Sequence, residues 1–116
     1  MAHKAVDPNL LANPFSYREL VEYQAGSIVS RTLIDKPEGT VTVFVFDAGQ
    51  ALSTHSAPFD ALVEVVDGTA VITIEEVDYQ VSAGSQIIMP ANKPHAVRAE
   101  ERFSMVLIMI RSREDQ

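Results

Sequence analysis

The residues of this chain best suited to acid–base or metal chemistry are its three histidines, His3, His55 and His95. An imidazole titrates near neutral pH and offers a lone pair to a metal ion. His3 lies in the N-terminal stretch and is expected to be solvated, as unburied termini are. His55 follows Gly49 by six residues and His95 follows Pro90 by five, and each stands where a loop is expected to feed a strand. Small neighbours, Ser56, Ala57 and Ala96, leave both rings room to point into a barrel cavity. Taken alone, each reads first as a satisfied structural residue and second as a ligand. Other chemistry is poorly represented. There is no cysteine, which excludes disulfides, zinc ribbons, iron–sulfur clusters and thiol nucleophiles. No Gly-x-Ser-x-Gly elbow and no glycine-rich phosphate loop occurs. The lysines are Lys4, Lys36 and Lys93, and Lys93, between Asn92 and Pro94, is expected to be exposed.

The elements that must carry these histidines are strands. From residue 27 onward the apolar period is two. Strands are predicted at Ile28–Ile34, Thr40–Phe46, Leu62–Val66, Ala70–Ile74, Tyr79–Val81, Gln86–Met89, His95–Ala99 and Phe103–Ile110. Thr40–Phe46 is β-branched and aromatic throughout, as a strand buried on both faces should be. Asp67-Gly68 predicts a tight hairpin turn. Gly49, Gly68 and Gly84 sit at turns where positive φ is expected, and Pro90 ends a strand. Glu75, Glu76 and Asp78 read as solubilising residues of a turn. The first 26 residues read as an irregular arm. Within it Ser16 to Glu19 matches a capping box, with Phe15 and Leu20 as a hydrophobic staple. One helical turn over 16–23 is therefore expected, with an edge strand as its alternative. Phe44, Phe46, Phe59 and Phe103 read as core or pocket wall.

Composition narrows the class. At 116 residues, 47% hydrophobic and 22% charged, the chain fits one globular domain and not a disordered polymer. A net charge of −7 argues against sequence-independent nucleic-acid binding and against a polybasic membrane patch. No secretory signal or membrane-spanning run is read, so a cytoplasmic location is the expectation.

Two segments carry a resemblance. Gly49 through His55 to Gly68 resembles the first motif of the cupins, and Gly84 through Pro90 to His95 resembles their second. The likeness covers residues 27–111 and is strongest to the small single-domain "cupin 2 conserved barrel" (RmlC-like) proteins. It implies an all-β double-stranded β-helix, a jelly-roll-like barrel at 27–111, preceded by the arm at 1–26 and followed by a polar tail at 112–116. It also implies pairing into a homodimer.

Metal-binding cupins supply two histidines and a glutamate from the first motif and a histidine from the second. By that resemblance His55 and His95 are the metal ligands, while Ala57 and Ala61 occupy the other two ligand positions. The implied cofactor is a divalent transition metal (Zn, Fe, Mn or Ni) with an incomplete ligand set, since a catalytic zinc normally keeps three protein ligands. Asp60 adjoins the vacant glutamate position, but a one-residue shift along a strand points it to the opposite face unless a bulge intervenes. Gln50 or Ser53 offers a neutral oxygen. If position 61 faces the barrel, 63 and 65 do as well and Glu64 faces away. The leading functional expectation is a protein that binds a small apolar or carboxylated molecule in the barrel. The alternative is a metal-dependent cupin enzyme of dioxygenase or isomerase type using His55 and His95, or a metal-free one with a histidine base oriented by Asp60. A third reading is an interaction protein acting through dimer contacts.

Overall fold

The computed structural model describes residues 5–111. One helical turn, α1 (Tyr17–Leu20), precedes nine strands: β1 (Ile28–Lys36), β2 (Gly39–Phe46), β3 (Ala51–His55), β4 (Phe59–Asp67), β5 (Thr69–Ile74), β6 (Val77–Ser82), β7 (Gln86–Met89), β8 (His95–Arg98) and β9 (Phe103–Arg111). They form a five-stranded sheet in the order β1-β2-β9-β4-β7 and a four-stranded sheet in the order β3-β8-β5-β6. Every pairing within them is antiparallel. The two sheets face each other as a jelly roll, as the resemblance implies. Among the described residues no helix is long and apolar enough to cross a membrane.

Alternation produces two cores. The inner one lies between the sheets, where Phe46, Val63, Val65, Phe103 and Met105 of the larger sheet meet Ala70, Ile72, Val81 and Val97 of the smaller. The outer one lies on the far face of the larger sheet, where Val43, Val45 and Val106 are covered by Leu10, Tyr17, Leu20 and Val21 of the arm. Strand β2 is buried on both faces for this reason: Phe44 and Phe46 point inward, Val43 and Val45 outward.

The arm is more regular than the sequence suggests. Val6 bridges Ile34, and the Asp7 amide donates to the Leu33 carbonyl at 2.8 Å, so the arm runs beside β1. The helical turn forms, but Ser16 makes no side-chain cap hydrogen bond. Only the Glu19 amide reaches the Ser16 carbonyl, at 3.1 Å. The turn is held instead by its neighbours, with Tyr17 and Leu20 packed on the outer core. Tyr23 and Arg18 both donate to Asp67 at the end of β4, at 2.8 and 3.0 Å. Burial, and then the Asp67 carboxylate, raise the Tyr23 phenol well above its ordinary value.

Three further readings are corrected. Asp67-Gly68 does not close a hairpin. Strand β4 belongs to the larger sheet and β5 to the smaller, so the chain crosses between sheets at Gly68. Its φ of +73° and a close backbone approach both call for glycine, because an added Cβ would collide with the Arg102 carbonyl and stand 3.0 Å from Phe103 Cβ. Asp78 does more than solubilise, accepting from Thr73 Oγ1 at 2.6 Å and Arg98 at 3.1 Å, and these bonds, Thr73 first, hold its carboxyl below the ordinary carboxylate range. The hairpin turn of β5–β6 is Glu75-Glu76, both at positive φ. Finally, residues 51–55, expected as loop, form β3. At the start of β2 a close approach also selects Gly39, where a Cβ would collide with the Met109 carbonyl of β9.

Two measurements test this frame. Gly68→Ala is expected to lose roughly 2–4 kcal/mol in denaturant unfolding, from left-handed strain plus the clash. Gly68→Asn tolerates positive φ but keeps a Cβ, so recovery of stability in that variant would rule out the close approach as the cause. Asp47, which accepts from Gly26 N at 2.6 Å and Arg102 Nε at 2.7 Å, ionises at about 2, below the ordinary 3.8. Its contribution is therefore complete above pH 3.8 and lost as pH falls through 2. Asp47→Asn should be less stable than wild type at pH 7, with the gap closing towards pH 2. A gap that stays constant on acidification would contradict the assignment.

Candidate functional site

Strands β3 and β8 bring the two histidines together as direct register partners, His55 opposite His95. The register advances three residues on β3, from Leu52 to His55, against two on β8, from Val97 to His95. This bulge rephases β3, so that Leu52 and His55 both face the cavity despite their odd spacing. The rings lie edge to face with centroids 4.6 Å apart. His95 is 6% exposed, whereas His55 is open to solvent.

Hydrogen bonds fix the tautomers. His55 Nδ1 lies 3.0 Å from the Ser53 carbonyl and His95 Nδ1 lies 3.2 Å from the Lys93 carbonyl. A carbonyl only accepts, so Nδ1 carries the proton in both neutral rings and Nε2 keeps its lone pair. Burial holds the His95 imidazole below its usual value; the adjacent His55 adds to this, and the bond to Lys93 opposes it. His95 is thus neutral at pH 7.

The rings form the polar rim of a cavity of about 430 Å³ between the sheets. Its walls are apolar, with Phe44 and Leu107 on one sheet, Leu52 and Val97 on the other, and Phe59 beside them. Apart from the two histidines, Ser53 is the only polar residue lining it among the described residues. Ala57 and Ala61 line it too, so the two positions carry no donor side chain. Asp60 lies outside the lining, its carboxylate accepting the Ala91 amide at 3.0 Å and fastening the loop that leads to His95. Asn92 supports the same loop, with φ +64° and its amide donating to the Ala57 carbonyl at 2.8 Å. Gln50 is likewise absent from the lining, and Val63 and Val65 point into the inner core while Glu64 alternates away. Lys93 is exposed, as expected. His3 and the tail at 112–116 lie outside the described residues.

These donors do not fit a closed divalent site. Two imidazoles converge, but among the described residues no group of three or more His, Cys, Asp and Glu side chains is placed to hold an ion. Without a carboxylate in the lining, nothing balances a divalent charge removed from water. What the sequence reading did not single out by number is the sulfur: Met89, Met105 and Met109 all line this cavity. The signal was present in the alternation of β9, where 105 and 109 share parity with the buried Phe103.

No functionally curated protein matches the chain. Among solved structures, a conserved protein of unknown function from Streptococcus pyogenes is 35% identical, with 96% of this chain and 97% of that chain covered and a TM-score of 0.88. A cupin 2 conserved barrel domain protein from Leptotrichia buccalis is 43% identical over 85% of this chain at a TM-score of 0.84, and the match spans 48% of that longer protein. A cupin superfamily protein from Desulfitobacterium hafniense is 25% identical, covering 79% of this chain and 84% of that one at a TM-score of 0.76. The family model for the cupin domain matches residues 42–111, which include both histidines and every strand from β3 to β9, and on these grounds the chain belongs to the cupin family.

Proposed function

We propose that this protein binds a small, largely apolar molecule in its barrel cavity, held by a head group that donates a hydrogen bond to His55 and His95. The observation that carries this reading is the pairing of apolar walls with two Nδ1-protonated imidazoles at the rim. Ligand pockets are of this kind, mostly apolar with a few convergent polar groups. A free Nε2 lone pair accepts from a donor, so a phenol or alcohol suits these rings better than an ether. Ala57 and Ala61 leave room for the ligand.

An alkylphenol and its methyl ether separate this reading from simple hydrophobic partition. The phenol should bind about tenfold more tightly by NMR titration, the worth of one hydrogen bond. His55→Ala should remove that preference, and Ala61→Leu should weaken both compounds by filling the cavity. Equal affinities for phenol and ether in the wild type would defeat the assignment of the imidazoles as the anchor.

We also propose that the chain forms a homodimer through the uncovered part of the outer face. An in-register apolar row, Ile88–Leu62–Ile108–Val41–Ile34, crosses the larger sheet. The arm packs around its β1 and β2 end, while at the other end Ile88 and nearby Ile110 are each 61% exposed. Sedimentation should give a dimer for the wild type and a monomer for an Ile88→Asp/Ile110→Asp double variant. A wild-type monomer at high micromolar concentration would end the proposal.

A further inference from the structure

Arg111 ends β9 on the face that carries the cavity. In the register of β4 with β9, Ala61 stands opposite Met109 and Phe59 opposite Arg111, with no irregularity between the two pairs. Directly paired residues share a face. Phe59, Ala61 and Met109 line the cavity, so Arg111 stands one step farther out, at its mouth. Its guanidinium lies over the Phe59 ring, 4.9 Å from the centroid. Its Nε donates to the Pro37 carbonyl at 3.1 Å, and its backbone amide donates to the Glu38 carbonyl at 2.9 Å. The fork is thereby held at one edge, while its Nη donors meet no partner among the described residues.

Arg18, Arg31, Arg98 and Arg102 each meet a carboxylate, at 2.7 to 3.1 Å. Arg111 meets none among the described residues, although the chain carries a net charge of −7. An exposed arginine is ordinarily a solvated surface charge, and its stem alone could shield Phe59. Neither role needs a guanidinium stacked on the cavity wall, anchored through Nε, on the sheet opposite His55 and His95. Free N–H groups on a planar fork bind a carboxylate side by side. One guanidinium supplies one positive charge, which matches a monoanion. Resting on the reading of the cavity as a small-molecule site, we propose that Arg111 selects an amphipathic hydroxy acid. The hydroxyl meets the histidines, the apolar body crosses the cavity, and the carboxylate pairs with Arg111 at the mouth.

Three probes test this by NMR titration: hydroxyphenylbutyrate, its primary amide, and butylphenol. Work at about pH 8 keeps free imidazole neutral and the phenol protonated, so a histidine cation cannot stand in for the arginine. The acid should bind the wild type about three- to tenfold more tightly than the amide, with the preference shrinking as salt is raised. Arg111→Gln should abolish the preference while binding butylphenol within about twofold of wild type. Lys36→Gln removes a cation near the same turn and should leave the preference intact. In the wild type, the Arg111 Nε–H signal should move with the acid and stay in place with butylphenol, which decides the matter should the variant not fold. Equal affinity for acid and amide overturns the assignment while butylphenol binding upholds the cavity reading. A preference that survives Arg111→Gln, or that Lys36→Gln removes equally, overturns it too. If none of the three binds, the cavity reading fails and the assignment with it.

Discussion

Phe46 and Phe103 stack at 4.4 Å between the two sheets, and much of the barrel's shape depends on that contact. Both rings are fully buried, and Ile72 from the opposite sheet is buried with them. Large aromatic side chains fill this end to close-packed density. Gly68 adjoins the same point, because the sheet-to-sheet crossing must pass Phe103 without a side chain of its own. With this end filled, space remains only where the facing residues are smaller or more flexible. That is the end bordered by Ala57, Ala61 and the methionines. The cavity is thus a product of where the bulky residues were placed.

Charge is distributed to match. The arm is tied to β4 by Arg18 and Tyr23 on Asp67, the Gly26 turn to Arg102 through Asp47, and β6 to β8 by Asp78 on Arg98. Tyr23 on Asp67 is partly buried, whereas the arginine pairs lie on the outside, where exposed pairs contribute little each and serve mainly to fix register. Among the described residues, the cavity lining holds His55, His95 and Ser53 and no carboxylate. A buried imidazole tolerates this because it can remain uncharged, which a carboxylate at the same depth does at greater cost.

Much of the fold was legible in the sequence because β alternation survives translation into strands. Eight strands and their inward faces follow from period two, and His55 and His95 follow from residue type and spacing. What was not legible depended on partners remote in the chain. Strand β3 has Leu52 as its only large apolar residue and exists because β8 pairs with it. Asp67-Gly68 carries the local chemistry of a hairpin, but the backbone of Arg102 decides its use. The Met89–Ala61–Met109 row spans three strands, so no local pattern reveals it. Asp60 lies outside the cavity lining, as alternation from Ala61 requires where no bulge falls between them.

Gly39 shows how far control over the cavity extends. It begins β2, beside the turn after β1, and no atom of it lines the site. Yet its bare α-carbon sits against the peptide of Met109, whose side chain forms part of the cavity wall. Any side chain at position 39 must push that peptide, and β9 is a rigid strand paired on both sides. The displacement therefore passes to Met109 and narrows or skews the space it borders. A residue at the outer rim of the sheet acts as a spacer for an interior it never touches, so the cavity's dimensions are set partly from outside it.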